Sequence, residues 1–418
     1  MANTTLTASI VAKAAVAILE NELVMAGAVY RGYEGEFDKK INGYEVGDTI
    51  TIRKPTDFTV RQQISNSGLV QDVTEGKTSL QINKVAGVDF KFTSQQLTLN
   101  IGDLSERVIR PAMVQVANQI DIDVMSLYTD IPQWVTTTAP PISTTVIDSF
   151  AKFAKGTTNL DQRSVPQGDR SGVLAPADYW AMAGSQTSLF NNSINGKSYR
   201  QGQIGMVGNV DTYMSQNAPA FTTGPGGGTP LVNGANQNTT YDTTGANTQS
   251  LITDGWTAAA AARVVKGDSF TIAGVFDVNP VTKATLPFLK QFVVVSNGSS
   301  DASGNLTMTI APQIITSGAF KNCSAAPADN AALTFNVGVA ANTTVTNNLL
   351  FHKNAFALAM VPMVKPPGAV DVSRQSKNGI SVRVIPYYDG VNDVSTWRLD
   401  CIYGVKTIDP RLAVRVSG

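Results

Sequence analysis

Few side chains in this chain could carry out acid–base or nucleophilic chemistry. Its 418 residues include one histidine, His352, and two cysteines, Cys323 and Cys401. A histidine base needs a nucleophile and an orienting carboxylate, and no local motif around His352 supplies either, so we expect a buried core or interface histidine. The numbers of His and Cys are too small for metal sites built from clusters of these residues. We expect no catalytic residue, no metal ion and no cofactor.

Two other kinds of chemical site have only weak support in the sequence. The glycine-rich segment from Gly202 to Gly208 has neither the dinucleotide-binding spacing nor the Lys-Ser/Thr ending of a phosphate-binding loop, and it is interpreted as an ordinary loop. A pair of carboxylates brought together by folding, about 5 to 9.5 Å apart, would allow glycoside hydrolysis. An enzyme of this kind remains one alternative for the function of this chain.

Composition limits the remaining classes of protein to which this chain could belong. The chain carries 32 acidic and 32 basic residues, so its formal charge is zero, and no basic patch for nucleic acid or anionic membrane is visible. Its longest apolar runs fall far short of the roughly 20 residues that a membrane span needs. The first residues lack the features of a signal peptide. The sequence predicts a soluble protein of a reducing cytoplasm, without a membrane partner.

The segment from Gly47 to Leu97 is the most informative part of the sequence. Its outward arm alternates Ile50 and Ile52 with polar residues as far as Pro55. The return arm, Ser79 to Thr93, continues the alternation, with a kink expected at Gly87. Turn-forming residues predict an exposed polar tip between the arms.

An isolated two-stranded ribbon is at best marginally stable in water, so this one is expected to rest on a neighbouring copy. An ordinary surface hairpin is the alternative. The apolar faces are expected to be buried only after assembly. The side chains expected at contacts between copies are Ile50, Ile52, Arg53, Lys54, Arg61, Lys77, Leu80, Ile82, Phe90 and Phe92.

A long amphipathic helix is predicted to follow, from Leu104 to Ile131, with Asp103 and Glu106 as a capping pair. Pro111 leaves two possibilities: the helix bends there, or a short turn precedes a helix that begins at Pro111. Asp121 is placed on the polar face. An earlier helix is predicted over residues 8–25.

The rest of the chain alternates between segments that predict both helices and strands and segments that predict mainly strands. A helix is predicted over 146–154, and a strand followed by a helix between Val173 and Met182. Residues 224–249 are expected to form a linker or flexible loop. Short strands with few charged residues follow from Arg263 to Val339, forming an all-β module that is inserted because core-like patterning returns at Leu349. Strands are predicted at 380–387, 396–405 and 412–416.

This order of parts resembles the major capsid (coat) proteins of tailed bacteriophages with the Hong Kong 97 fold, in the branch of the short-tailed Salmonella phage coat protein. The segments that carry the resemblance are Val46–Pro55, Val265–Val275, Asp277–Lys283 with Gln291–Val295, and Tyr403–Lys406 with Arg411–Val416. Together they span nearly the whole chain.

The resemblance implies an α+β fold of the Hong Kong 97 type with an inserted small all-β, barrel-like domain. The expected division is an N-terminal arm (1–45), an extended two-stranded loop (46–97), a peripheral domain with the long helix as its spine (98–142), an axial domain (143–222), the inserted β domain (223–345), a return to the axial domain (346–370) and C-terminal strands (371–418).

The resemblance also implies a structural, non-catalytic function. Copies would self-assemble as pentamers and hexamers into an icosahedral shell that encloses double-stranded DNA without sequence-specific binding, located in the virion and assembled in the host cytoplasm. A portal protein is an implied partner, and a separate scaffolding protein is expected because the first helix begins at once. Some relatives cross-link a loop lysine; Lys77 and Lys84 lie in this loop, but no partner is identified. The alternative function is a β-rich phage tail or surface adhesin that binds carbohydrate.

Overall fold

The computed structural model describes residues 8–33, 49–60, 70–93, 105–136, 146–186, 204–336, 339–366 and 371–418, which combine α-helices and β-strands. The α-helices of these residues are α1 (Ala8–Glu22), α2 (Met25–Ala28), α3 (Arg110–Met125), α4 (Phe150–Gln162) and α5 (Pro176–Gln186). The strands are β1 (Thr49–Arg53), β2 (Lys77–Gln81), β3 (Lys84–Thr93), β4 (Trp134–Thr136), β5 (Arg170–Leu174), β6 (Met206–Val207), β7 (Val210–Met214), β8 (Ala220–Thr222), β9 (Gly228–Val232), β10 (Gln249–Trp256), β11 (Ala261–Val264), β12 (Ser269–Val278), β13 (Thr285–Val294), β14 (Gly298–Ser300), β15 (Leu306–Ala311), β16 (Leu333–Phe335), β17 (Thr344–Thr346), β18 (Asn348–His352), β19 (Phe356–Val361), β20 (Ser373–Lys377), β21 (Ile380–Asp389), β22 (Val394–Thr407) and β23 (Ala413–Ser417).

The chain divides into two compact units. The first comprises Met1–Ile50, Ser79–Met125 and Phe356–Lys406. The second comprises Thr51–Thr78, Ser126–Ala355 and Thr407–Gly418. The predicted helix at the start of the chain and the three predicted strands near its end are confirmed, with bounds shifted by at most three residues.

The first unit contains a sheet in which β3, β22, β21 and β20 lie side by side. Helix α1 packs on β20, β21 and α3. It buries one stripe of residues at helical spacing, which explains why its alanines and valines favour a docked helix over an exposed tail. The members of this stripe are Ala8, Val11, Ala12, Ala15, Val16 and Leu19.

The long helix is shorter than predicted. A π-helical turn over Ser105–Ile109 precedes α3, and a 3-10 turn over Ser126–Asp130 follows it. Pro111 lies in the first turn of α3, where its missing N–H is tolerated, so the second of the two predicted alternatives is close to the structure. The placement of Asp121 on the polar face was wrong, because this residue is only 3% exposed. Its carboxylate accepts hydrogen bonds from the N–H groups of Val24 and Ala26, both at 2.9 Å.

The second unit contains a mixed sheet in the order β4-β23-β18-β5-β7-β6. Helix α4 packs on β23 and β4, and a Cβ at Gly156 would lie 2.6 Å from Leu350, so glycine permits this close approach. The predicted strand and helix at β5 and α5 are confirmed. The helix predicted over 146–154 begins only at Phe150. The reason is that Ile147 is held outside it, with its N–H bonded to Asp178 at 2.7 Å.

The β-rich part of the second unit forms a six-stranded sheet in the order β16-β12-β13-β15-β10-β9. The expectation of a linker over 224–249 was wrong for β9, which pairs with β10 and buries Val232 completely. The sheet encloses its own hydrophobic core. That core includes Val232, Leu251, Trp256, Val264, Phe270, Ile272, Phe292, Met308, Ile310 and Leu333.

The two ends of this β-rich part lie side by side. Strands β8 and β17 pair antiparallel, with Phe221 opposite Val345. Asp268, which is 1% exposed, accepts hydrogen bonds from the backbone N–H of Gly224 at 3.1 Å and from the side chain of Asn336 at 2.9 Å. One buried carboxylate therefore joins the segments that enter and leave the β-rich part.

The ribbon predicted from Gly47 to Leu97 is only partly a ribbon. Strands β1 and β2 pair with each other, but β3 pairs with β22 along its whole length. The predicted kink at Gly87 is wrong, since β3 runs straight through it. Gly87 faces Asp400, and an added Cβ would lie 2.7 Å from a carboxylate oxygen of Asp400, so a close approach requires glycine here.

Candidate functional site

The base of the extended loop is held by backbone and ionic contacts. Where β1 and β2 end, the N–H of Lys54 donates to the carbonyl of Gly76 at 2.7 Å and continues the pairing by one rung. Arg53 lies 3.1 Å from Glu75, and both side chains are exposed. Such an exposed pair contributes little energy, but it joins the outward and return arms at their base.

Farther out, side chains replace strand pairing. The amide of Gln71 accepts a hydrogen bond from the N–H of Thr59 at 2.8 Å and donates one to its carbonyl at 2.7 Å. The hydroxyl of Thr59 donates to the same amide oxygen at 2.9 Å. The two arms are therefore held together at this level although neither is a strand.

Large apolar side chains on both arms project into solvent on either side of this cross-link. Phe58 is 52% exposed and Val60 is 90% exposed on the outward arm. On the return arm, Val70 is 80% exposed and Val73 is 70% exposed. Single exposed apolar residues are common, but four within two short cross-linked segments are a local concentration of the kind found at protein contacts.

The base of the loop also rests on the β-rich part of the second unit. A Cβ at Gly76 would collide with the hydroxyl of Tyr241, and a Cβ at Gly245 would collide with the carbonyl of Lys77. Tyr241 in turn stacks on Phe320, with ring centroids 3.7 Å apart. Close packing at two glycines therefore fixes the path of the return arm.

One carboxylate of the outward arm lies between two cations. Asp57 is 3.6 Å from the ammonium of Lys283 and 3.5 Å from the guanidinium of Arg411. Arg411 also makes a tight pair with Asp409 at 2.8 Å, and the charge of Asp409 raises the pKa of Arg411 far above its usual range. These ions join the outward arm to the rest of the second unit.

The structure separates the residues predicted at contacts between copies into three groups. Ile52, Leu80 and Ile82 are at most 9% exposed, so the expectation that they become buried only on assembly was wrong: the folded chain already covers them. Ile50, Phe90 and Phe92 are half-buried, and the last two stack edge to face on β3, which pairs with β22 and not with β1 or β2. The basic residues Arg53, Lys54 and Lys77 lie at the loop base, and Arg61 lies outside the described residues.

Sequence reasoning missed the residues that make the loop surface. The sequence predicts an exposed polar tip between the arms, but it gives no expectation for Phe58, Val60, Val70 or Val73. Their signal was present as isolated apolar residues in a polar context, without a strand period to draw attention to them. The contacts of Tyr241 and Lys283 with the loop join residues far apart in the sequence, which a local pattern does not show.

The histidine and the two cysteines of the chain are buried. His352 is 8% exposed, its Nδ1 accepts the N–H of Asn354 at 3.2 Å, and burial lowers its pKa. This confirms the interpretation of His352 as a satisfied core residue. Burial raises the pKa of Cys323 to about 11 and that of Cys401 to about 12, so both remain unreactive thiols at neutral pH.

Within the described residues, His, Cys, Asp and Glu do not gather into any group of three or more that could hold a metal ion. Nor does any described helix combine the length and apolar character needed to cross a membrane.

The family model of the P22 coat protein, gene protein 5, matches residues 1–418. This chain belongs to the P22 coat protein family. It is therefore a major capsid protein of a bacteriophage, a structural subunit that associates with other copies to form the shell of the virion. The predicted resemblance and function are confirmed, and the family match does not favour the adhesin alternative.

Two of the solved structures to which this coat protein is similar come from phages. The chain is similar to one from Mycobacterium phage Che8, with 14% identity, 94% of this chain and 90% of the other covered, and a TM-score of 0.48. It is similar to the capsid of Ralstonia phage GP4, with 9% identity, 94% and 87% covered, and a TM-score of 0.46. A curated protein sequence that matches the chain was not found.

Proposed function

We propose that copies of this coat protein contact one another through the extended loop, residues 46–97, as pentamers and hexamers of an icosahedral shell around double-stranded DNA. The observation that carries this proposal is the apolar surface of Phe58, Val60, Val70 and Val73 on two arms fixed by Gln71 and Thr59. A surface already ordered in the single chain loses less conformational entropy on binding.

The domain division of the Hong Kong 97 fold belongs to the same proposal. Residues 143–222 and 346–370 form the axial domain, and residues 98–142 and the strands of 371–418 form the peripheral domain. Residues 223–345 form an inserted β domain that begins directly after β8 and ends within β17. Its own hydrophobic core, the pairing of β8 with β17 and the bonds of Asp268 at both junctions support an insertion into a continuous host domain.

The partners proposed are a separate scaffolding protein, a portal protein and enclosed DNA, with assembly in the host cytoplasm. Equal numbers of acidic and basic residues suit a shell that surrounds DNA without reading its sequence. The function needs no catalysis, which agrees with the buried state of His352, Cys323 and Cys401.

The test is assembly of the double variant Val60→Asp with Val70→Asp, expressed with its scaffold. Charges on the apolar surface should reduce the yield of closed shells at least tenfold, measured by sedimentation and electron microscopy. Circular dichroism and thermal melting of the subunit should stay unchanged, because both valines are already exposed. Val391→Asp is the matched control, since Val391 is 92% exposed and lies outside the loop. Normal shells from the double variant would refute the loop contact.

A further inference from the structure

A cavity of about 100 Å³ lies within the second unit. The outward arm contributes Lys54 and Asp57 to its wall, the β12–β13 hairpin contributes Lys283 and Lys290, and Arg411 comes from the segment before β23. A single buried water needs roughly 10–15 Å³ by the same measure, so the cavity has room for several waters or one small polyatomic ion.

Positive side chains outnumber negative ones among the described residues that line this cavity. The cations are Lys54, Arg163, Lys283, Lys290, Lys321 and Arg411. The anions are Asp57, Asp242, Asp277 and Asp409. The wall therefore carries an excess of two positive charges.

The carboxylates of the wall are largely engaged already. Asp277 receives Lys290 on one oxygen at 2.8 Å and Arg163 on the other at 2.9 Å. Both oxygens of Asp409 accept from the guanidinium of Arg411. Asp242 accepts the backbone N–H and the hydroxyl of Thr244. These carboxylates have little capacity left to neutralise further cations.

The two hairpin lysines, by contrast, have unused donors. An ammonium has three N–H groups. Lys283 is 16% exposed at its side chain, and its partner among the described residues is Asp57 at 3.6 Å, a loose pair. Lys290 is 7% exposed and bonds Asp277 alone among those residues. Burial lowers the pKa of Lys283, Asp57 opposes this shift, and the charge of Arg411 adds to it.

A buried amide supplies a second, independent observation. Gln133 is 2% exposed and lines the cavity, and its Oε1 has no hydrogen-bond partner within the described part of the chain. A buried polar atom without a partner costs about 1–3 kcal/mol, so such atoms mark places where a water or ligand binds. The oxygen and nitrogen of an amide exchange places on a half-turn, so Gln133 can offer N–H donors to an anion.

We propose that this cavity binds one small tetrahedral oxyanion of the phosphate or sulphate type. Donors on several different segments line the cavity, which suits an ion with four oxygens, and the excess of positive charge disfavours a cation. The small volume excludes a nucleic-acid chain. The site does not depend on the proposed contact between subunits.

The experiment is equilibrium dialysis of the full chain against labelled inorganic phosphate at constant ionic strength, with chloride as the balancing anion. The wild type should bind one phosphate per chain in a saturable manner. Lys283→Gln should weaken binding at least tenfold. Lys266→Gln should bind like the wild type, because Lys266 lies outside the cavity and its removal lowers the charge by the same amount.

Sulphate should displace the labelled phosphate from the wild type, whereas acetate at the same concentration should not. Phosphate should also raise the melting temperature of the wild type and of Lys266→Gln above that in chloride, and this shift should be absent from Lys283→Gln. The site is refuted if the wild type shows no saturable binding, or if the two variants lose affinity equally. If Lys283→Gln does not fold, displacement by sulphate and not by acetate decides the question on the wild type alone.

Discussion

The side-chain amide of Gln71 bonds both backbone groups of Thr59 across the two arms of the extended loop, at 2.8 Å and 2.7 Å. This arrangement reproduces one rung of a strand ladder with a side chain. On the outward arm it lies between the exposed side chains of Phe58 and Val60. On the return arm it lies between those of Val70 and Val73, so it joins the two arms where these four residues are exposed.

Gln71→Ala should separate the arms without unfolding the subunit. The hydrogen bonds are exposed, so the free energy of unfolding should fall by no more than about 1 kcal/mol. Amide hydrogen exchange at Thr59 should become faster, and the rate of shell assembly, followed by light scattering, should fall severalfold. Asp72→Ala is the control on the same arm. Equal assembly of Gln71→Ala and wild type would show that the cross-link does not matter.

Asp277 should make the free energy of unfolding depend on pH in the acid range. Burial disfavours its charge, but Lys290 and Arg163 outweigh this and hold its pKa below the ordinary value of 3.8. A lowered pKa contributes stability that is present above pH 3.8 and is lost as the pH falls through the folded-state pKa. Asp277→Asn should cost roughly 3–5 kcal/mol at neutral pH, because it leaves two buried cations unpaired.

Urea unfolding at several pH values measures this effect. The advantage of wild type over Asp277→Asn should shrink below pH 3.8. Asp211→Asn, a change at an exposed strand position, should show no comparable loss at neutral pH. A constant difference between Asp277→Asn and wild type across the acid range would contradict the assignment.

Asp121 should make stability change with pH in the opposite direction. Burial raises its pKa above 3.8, and the N–H groups of Ala26 and Val24 lower it only in part. A raised pKa gives stability that is present below pH 3.8 and is lost as the pH rises through the folded-state pKa. The stability of wild type relative to Asp121→Asn should therefore increase on acidification, measured by the same urea series. A decrease would mean that the two hydrogen bonds, rather than burial, dominate.

Local patterns predicted the elements whose apolar spacing is regular. Helix α1 and strands β21 and β22 are examples, because each presents one continuous buried face. Patterns did not predict pairing partners. Strand β3 was expected to belong to the loop ribbon, but it pairs with β22, about three hundred residues later, and nothing within β3 encodes that choice.

The loop residues show a second limit. The sequence pattern predicts that Ile52 and Leu80 become buried only on assembly, yet the single chain already buries them. The exposed surface of Phe58 and Val60 has no strand period and depends on a side-chain cross-link to Gln71. Burial and tertiary hydrogen bonds are properties of the fold, so the sequence pattern alone could not separate these two kinds of apolar residue.

The phenol of Tyr403 donates to Asp123 at 2.6 Å, and Lys84 pairs with the other oxygen of the same carboxylate at 2.8 Å. This contact joins β22, α3 and β3 within the first unit. Tyr403→Phe removes the donor with little change in volume, and it should lower the free energy of unfolding by about 1.5–3 kcal/mol, since the acceptor is charged. Lys84→Met should cost at most about 1 kcal/mol because its ammonium is partly exposed.

A double-mutant cycle of these two changes separates a shared network from independent bonds. Both donors orient one carboxylate, so the loss in the double variant should differ from the sum of the single losses by at least about 0.5 kcal/mol. Thermal and urea unfolding of the four proteins supplies the numbers. Strict additivity would mean that Asp123 is positioned by α3 alone, and that β3 and β22 are joined in the sheet by their backbone pairing without help from this side-chain network.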